Sequence, residues 1–372
     1  MSDSLADILR LYNPDAPLDR ALTIPAPYYT DPRIAELENR AVFGDSWQVV
    51  SRVDQHREPG SFVTAVIAGE PIVVVCGEDR ELRAFFNVCR HHAAAVATTP
   101  EGTCDALRCP YHGWTYDLAG ALKTTPDFAG ACDFDKSANG LVQVRCETWE
   151  NFVFVNLSES GTALAEFLGE IVPRVAKLNL SSLRFFERRS YTLNCNWKVY
   201  VDNYLDGGYH VPYLHKSLNT VINYSDYMIE CFERTVLQWS PMKVGKDAET
   251  AAVRKGDAAY YWWVYPNFML NWYEGVMDTN LVLPLGVDRC EVIFDFYFDD
   301  TTSAAEARNR ASIAVGERVQ QEDIDICEAV QRGLGSRAYV AGRLSPRREA
   351  GEQLFHRLLH ADLTAAPNSR VN

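Results

Sequence analysis

This sequence predicts an α+β protein in two parts: a small all-β unit, then a domain in which a curved antiparallel sheet wraps a long helix. Three observations carry the prediction. From about Phe43 to Leu157, short runs rich in Val, Ile and Phe alternate with joints of Gly, Pro and Asp, the pattern of strands and turns. Beyond that point strand patterns and helical spacings are mixed, and no internal repeat or low-complexity segment interrupts them. The length of 372 residues suits two domains of ordinary size, and a composition 47% hydrophobic supplies a sizeable core.

Taken in order, residues 1–42 are expected to form an N-terminal segment packing on the second domain. The runs "SFVTAVIAG", "EPIVVVCG" and "ELRAFFNV" read as strands of a first domain over residues 43–157. A joint near Ser158 to Gly161 opens the second domain, residues 158–372. There "TALAEFLGEIVPRVAKL" has helical spacing, and "RFFERRSYTLNCNWKVYVDNYLD" runs from a strand pattern into a helix start. "YYWWVYPNFMLNWYEG" and "RCEVIFDFYFDD" read as further strands, and a helix from about Ala304 to Leu334 closes the domain.

With 36 basic against 50 acidic side chains, the net charge of −14 argues against nucleic acid or an anionic membrane as partner. No apolar run reaches the length of a membrane span, and the start "MSDSLADILRLYNPDAP" lacks the marks of a leader. A soluble protein is expected, in the cytoplasm or in an organelle after removal of a targeting peptide. The ten cysteines are expected to be reduced or metal-bound, most of them single core residues.

Residues 89–112, "CRHHAAAVATTPEGTCDALRCPYH", hold three cysteines and three histidines. Cys89 and His91 form C-x-H, and Cys109 and His112 form C-x2-H. Two loops, each presenting one thiolate and one imidazole, suit a [2Fe-2S] cluster in which one iron takes two Cys and the other two His. Zinc takes the same ligand types but usually through C-x2-C or H-x3-5-H pairs; a disulfide is the third reading. Gly113 allows close backbone approach, and Trp114 can cover the cluster. His92 and Cys104 fall outside the pattern.

A second constellation lies in "NWKVYVDNYLDGGYHVPYLH", residues 196–215. His210 and His215 are five apart, about 140° around an ideal helix, so sharing a metal requires a broken helix. Gly207, Gly208 and Pro212 supply the break. Two imidazoles and one carboxylate make the facial triad of non-haem iron(II) oxygenases. The third ligand is sought among Glu322, Asp323 and Asp325. Val319, Asp323, Cys327, Val330 and Leu334 share one helical face, and a carboxylate on a buried face needs a metal or a partner. Asp323 is the choice; the alternative is a core carboxylate paired with Lys, Arg or a backbone donor.

The two constellations together resemble the α subunits of Rieske-type non-haem iron oxygenases. More narrowly, "NWKVYVDNYLDGGYHVPYLHK", "YPNF", "LPLG" and "QEDIDICEAVQRGL" resemble choline monooxygenases and their relatives acting on quaternary amines. The resemblance spans about Phe43 to Leu359. It implies a Rieske domain joined to a helix-grip catalytic domain, with Cys89, His91, Cys109 and His112 on a [2Fe-2S] cluster and His210, His215 and Asp323 on iron(II). It also implies a homo-oligomer, typically a trimer, fed by a ferredoxin or flavin reductase, in which one subunit's cluster serves the neighbour's iron through a bridging carboxylate. In many members that acid lies three residues before the first iron histidine. Here Gly207 holds that position, and Asp206, four before His210, is the natural bridge. Asn203 and Tyr209 are candidate supports of the site, and His92 stands where relatives usually have Arg.

Residues 260–275, "YYWWVYPNFMLNWYEG", contain eight aromatics. A quaternary ammonium has no N–H to donate, so recognition relies on aromatic faces and a carboxylate. Trp263, Tyr265, Phe268, Trp272, Tyr273 and Glu274 are the candidates, although strand alternation lets only about half of such rings face one cavity. With the resemblance, the expected reaction is oxidation of choline by O2 and reduced ferredoxin to betaine aldehyde hydrate. The alternatives are N-demethylation or C–N cleavage of glycine betaine, carnitine or another betaine, and hydroxylation of an aromatic ring.

Overall fold

In the computed structural model, which describes residues 4–243 and 248–365, the β-branched runs of the first third become strands. These are β1 (Gln48–Arg52), β2 (Ser61–Ile67), β3 (Glu70–Cys76), β4 (Leu82–Phe86), β5 (Glu101–Thr103), β6 (Leu107–Arg108), β7 (Thr115–Tyr116), β8 (Leu122–Thr124), β9 (Gln143–Trp149) and β10 (Phe152–Asn156). They form a seven-stranded sheet in the order β1-β10-β9-β4-β3-β2-β5 and a three-stranded sheet β6-β7-β8. Ala68 and Gly69 join β2 to β3 with φ of 53° and 83°, the two positive values that a two-residue type I′ hairpin turn demands. The run "IVVVC" in β3 is apolar on both faces because each face meets a core. Val73 and Val75 pack with Phe62 and Phe85 under the two Cys/His loops; Ile72 and Val74 pack with Val153 and Val155.

This first unit covers residues 42–167, ten residues further than the expected end at Leu157. The extra segment ties back to the sheet: Trp47 Nε1 donates to the Thr162 carbonyl at 3.0 Å, Arg145 Nη2 donates to the same oxygen at 2.7 Å, and the Leu164 amide donates to Glu147 at 3.2 Å. Backbone bonds made by a loop outweigh its composition in setting the boundary.

Residues 1–41 and 168–372 make the second unit. Its sheet runs β11 (Arg184–Leu193), β12 (Met228–Cys231), β13 (Thr235–Pro241), β14 (Ala258–Val264), β15 (Phe268–Tyr273), β16 (Val276–Pro284) and β17 (Cys290–Phe298), antiparallel throughout in the order β11-β17-β16-β15-β14-β13-β12. The helices of the chain are α1 (Leu5–Leu9), α2 (Pro27–Thr30), α3 (Pro32–Glu38), α4 (Leu164–Leu168), α5 (Ile171–Val175), α6 (Trp197–Leu205), α7 (Ala248–Val253), α8 (Glu306–Leu334) and α9 (Ala350–Ala365). The long helix begins at Glu306, two residues after its expected start. Val330, expected on its buried face, is 44% exposed, whereas Gln320, Asp323, Cys327 and Leu334 are buried.

Helix α6 matters most for position. Asn196 caps it by accepting from the Lys198 amide at 3.1 Å. Lys198 is wholly buried and meets Glu38 of α3 at 2.6 Å, while Trp197 Nε1 donates to the same carboxylate at 2.8 Å. One turn on, Asp202 accepts from the Tyr29 hydroxyl at 2.6 Å and lies 3.0 Å from His356 Nε2 of α9. Segments distant in sequence thus clamp α6 through buried polar contacts, each satisfied.

Candidate metal centres and the adjoining cavity

Two loops of the first unit fold alike. The Cys89 amide donates to the Ala94 carbonyl at 2.9 Å and the Ala93 amide to the Cys89 carbonyl at 3.0 Å; the Cys109 amide donates to the Trp114 carbonyl at 2.8 Å and the Gly113 amide to the Cys109 carbonyl at 3.1 Å. Each loop turns back through a positive φ at its fifth residue, 59° at Ala93 and 73° at Gly113. The turn is shared, and the histidine is shifted by one residue, at the third place in one loop and the fourth in the other.

Cys89 and Cys109 are buried, at 2% and 3% exposure, while His91 is half-buried and His112 exposed. The rings of His91 and His112 lie 4.7 Å apart, and His91 stacks on Trp114 at 4.7 Å with 6° between planes. All ten cysteines are free thiols, which excludes the disulfide reading. His91 Nδ1 is buried without a protein partner, the state of an atom whose partner is a metal. Two thiols inside and two imidazoles toward the surface fit a [2Fe-2S] cluster of mixed ligation. His92, outside the expected pattern, has a ring nitrogen within 4.8 Å of those of His91 and His112 and is exposed.

In the second unit α6 stops at Leu205 and the chain turns through Gly207 and Gly208, at φ of 67° and 68°. A Cβ on Gly207 would collide with the Arg348 carbonyl, so only glycine passes. One helical turn follows, its Leu214 and His215 amides donating to the carbonyls of His210 and Val211 at 2.8 and 3.1 Å. The result puts the His210 and His215 rings 4.7 Å apart at 83°. One ligand atom from each of His210, His215 and Asp323 lies within 4.8 Å of the others. This donor set fits a non-haem iron with open positions.

Each ligand candidate is oriented from behind. His210 Nδ1 is 2.6 Å from Asp206 Oδ2, which also accepts from the His210 amide at 3.0 Å. His215 Nδ1 is 2.7 Å from Glu322 Oε2, and Asn203 Nδ2 donates to Asp323 Oδ1 at 2.7 Å. Burial pushes the His215 imidazole toward neutrality, but its contacts with Asp323 and Glu322 outweigh that and hold its pKa above the ordinary histidine range. Bonds of this kind fix ring orientation and tautomer in metal sites.

A cavity adjoins the three groups on the concave face of the sheet. Strand alternation builds its sheet wall: Gln238, Tyr261, Asn271 and Asp278 lie directly opposite one another across β13 to β16, and β17 contributes Phe294. Tyr204, Tyr227, Tyr261 and Tyr273 supply its rings. Tyr227 and Tyr261 are stacked at 6.3 Å, and Tyr261 meets Tyr273 edge-on at 6.0 Å with hydroxyls 2.7 Å apart. Burial holds all four phenols above the usual tyrosine range, so they present neutral rings.

Residues 46–143 match the Rieske [2Fe-2S] domain, and residues 180–365 match the catalytic domain of the ring-hydroxylating α subunit. The chloroplastic choline monooxygenase of Arabidopsis thaliana is 40% identical over 97% of this chain and 88% of its own length. The chain belongs to the Rieske-type non-haem iron oxygenases. The carnitine monooxygenase oxygenase subunit of Escherichia coli (strain K12) is 30% identical over 96% of this chain and 98% of its own. Among solved structures, a quaternary ammonium Rieske monooxygenase in complex with L-carnitine superposes with a TM-score of 0.82 at 27% identity, covering 97% and 99% of the two chains. Naphthalene 1,2-dioxygenase from Rhodococcus sp., at 20% identity and a TM-score of 0.77 over 93% and 95%, shares the fold.

In this Rieske oxygenase the expected substrate residues are mostly elsewhere. Of Trp263, Tyr265, Phe268, Trp272, Tyr273 and Glu274, only Tyr273 lines the cavity. Trp272 points to the convex face with Tyr260, 5.7 Å away, because it is one residue out of phase with Tyr261 and Tyr273. Phe268 shares that opposite phase. Trp263 packs on Phe355 of α9 at 5.6 Å, and the Tyr265 hydroxyl donates to Asp362 at 2.6 Å. Glu274 follows the end of β15 and is exposed. Tyr209 is 46% exposed and contributes only its amide, to Asp206 at 3.1 Å. Asp325 accepts from exposed Gln321 at 2.9 Å and takes no part. Glu322, weighed as a metal ligand, instead braces His215, and Tyr204, Tyr227, Tyr261 and Asp278 were not read as site residues. For Asp278 a signal existed, a carboxylate inside the otherwise apolar or neutral run "VMDTNLVL".

Proposed function

We propose that this oxygenase oxidises a quaternary ammonium compound, with choline as substrate and betaine aldehyde hydrate as product. One observation carries the reading: a cavity walled by neutral tyrosine rings and one buried carboxylate opens onto His210, His215 and Asp323. Aromatic faces and a diffuse negative charge suit a cation without N–H donors, and arene binding would require no carboxylate. The relationship to choline monooxygenases over nearly the whole chain supports the same substrate class.

In this reading Cys89, His91, Cys109 and His112 hold the Rieske cluster, and His210, His215 and Asp323 hold the iron. Bound there, the metals would relay two electrons from the reductase and activate O2, so that one oxygen atom would enter a C–H bond and the other would leave as water. The chain does the positioning. Asp206 and Glu322 fix the two imidazoles, Asn203 fixes Asp323, and the tyrosines hold the substrate cation so that the alcohol carbon faces the metal side. Hydroxylation there gives a gem-diol, which loses water to the aldehyde. Asp206, joined to His210 at 2.6 Å, would receive electrons from a neighbouring subunit of a homotrimer, supplied in turn by a ferredoxin or flavin reductase.

The structural likeness to an oxygenase solved with L-carnitine keeps C–N cleavage of a betaine as a second reading. Product analysis separates the two. Iron-loaded enzyme with O2 and a reductant system should give betaine aldehyde from choline; formaldehyde from glycine betaine, with choline untouched, would move the assignment to N-demethylation.

A further inference from the structure

We propose that Asp278 is the charge selector of this cavity, favouring a quaternary ammonium that carries an alcohol over one that carries a carboxylate. The inference rests on the quaternary-ammonium reading and adds the residue that divides that class.

Charge placement comes first. Asp278, the third residue of β16, is 5% exposed and lines the cavity. Its Oδ2 accepts one bond, from Asn271 Nδ2 at 2.7 Å, and among the described residues it has no ion-pair partner. The other carboxylate of the lining, Asp323, is grouped with His210 and His215. Asp278 is therefore a second, separate negative centre in the same cavity. Burial raises its pKa above the ordinary carboxylate range, with Arg254 and Asn271 opposing. A cation placed beside it relieves that cost without needing an N–H donor.

The one arginine of the lining offsets part of that charge but makes no ion pair with Asp278 among the described residues. Arg254 Nη1 donates to Ser312 Oγ, Nη2 to the Ser312 carbonyl at 3.4 Å, and the guanidinium lies 4.8 Å above the Tyr273 ring. The guanidinium is thus bonded to α8 and lies over the face of the tyrosine. A substrate carboxylate would enter facing the Asp278 charge, and like charges brought together out of water oppose binding.

Neutral polar atoms complete the picture. Gln238 Oε1, Asn280 Nδ2 and Gln320 Nε2 all line the cavity, are buried and have no partner in the protein. One acceptor and two donors, none charged, match an alcohol, which both donates and accepts. Their partners are fixed on the other side: Gln238 Nε2 donates to the Tyr204 carbonyl at 2.7 Å, and Gln320 Oε1 accepts from the Tyr200 hydroxyl at 2.6 Å. The amide orientations are thereby set, so the free atoms are not interchangeable.

The test is equilibrium binding to the metal-loaded enzyme by calorimetry, with three probes: choline, its neutral carbon isostere 3,3-dimethylbutan-1-ol, and glycine betaine. The wild type should bind choline about tenfold or more tighter than either of the others. Asp278→Asn should lower choline affinity by about tenfold while leaving the isostere within about threefold. Equal losses for choline and the isostere would show that Asp278 only supports packing, and glycine betaine binding as tightly as choline to the wild type would overturn charge selection. Should Asp278→Asn not fold, Asp278→Ser carries the same expectations and decides in its place. A wild type that binds a simple arene and none of the three probes would sink the quaternary-ammonium reading itself, an outcome distinct from the other two.

Discussion

At the scale of single residues, the informative contacts are those behind the metal ligands. Glu322 is one position from Asp323 on α8, yet the helix turns it to the far nitrogen of His215. Replacing it by Gln should weaken iron binding by about 10- to 100-fold with the fold unchanged, measured by metal titration alongside circular dichroism. Equal affinity in the variant would mean that the bond does not orient the ring. The proposed ligands stood out in the sequence because thiolates, imidazoles and carboxylates at unusual spacing have few other reasons to occur together. Glu322 was legible only as a neighbour, since helical phase assigns a face and not which nitrogen a carboxylate meets. Lys198 offers a second test. Burial lowers its pKa and Glu38 opposes the shift, so Glu38→Gln leaves an uncompensated ammonium and should cost about 3–5 kcal/mol. With its folded-state pKa depressed, the unfolded chain binds more protons, and stability must rise with pH. Denaturant melts of this variant should therefore recover stability as pH rises toward the ordinary lysine range; a loss that does not change with pH would refute the account.

Elements show where sequence patterns carry and where they stop. The break after α6 was readable from two glycines and a proline, because few other residues tolerate what the turn requires. Gly207→Ala should displace the turn and abolish iron binding in the second unit while the visible spectrum of the [2Fe-2S] cluster survives, since the added Cβ meets the Arg348 carbonyl. Iron retained at full occupancy would show that the turn can shift without moving His210. The aromatic strand was a partial reading. Alternation correctly limits one cavity to about half the rings, but which half depends on register across five strands, and register is set by turns and by residues far along the chain. Tyr261 and Tyr273 take one phase and Trp272 the other for that reason. Helix α9 was not read at all. Its contribution, including His356 at Asp202 and Phe355 at Trp263, lies in contacts made across more than ninety residues.

For the whole molecule, the α+β class and the order of its two parts followed from composition and pattern, and the boundary did not, because residues 158–167 are held by hydrogen bonds that composition cannot announce. The donors proposed for each metal centre come from one unit only: Cys89, His91, Cys109 and His112 from residues 42–167, and His210, His215 and Asp323 from the other. Loss of one centre should leave the other intact. His91→Ala should remove the cluster's visible absorption and keep about one iron at the second centre, and His210→Ala should do the reverse, read by metal analysis and optical spectra. Joint loss in either variant would mean that the units assemble their metals cooperatively. The sheet wall of the cavity is a cross-section of five neighbouring strands, with Gln238, Tyr261, Asn271 and Tyr273, Asp278 and Asn280, and Phe294 in strand order. Evolution can therefore rewrite it one wall at a time: a substitution at Gln238 or Phe294 alters the space without touching any turn, and distant walls should combine additively while Asn271 and Asp278, in contact, must change together. A lineage that exchanged one quaternary amine for another would need few substitutions, spaced along the chain at the intervals the hairpins dictate.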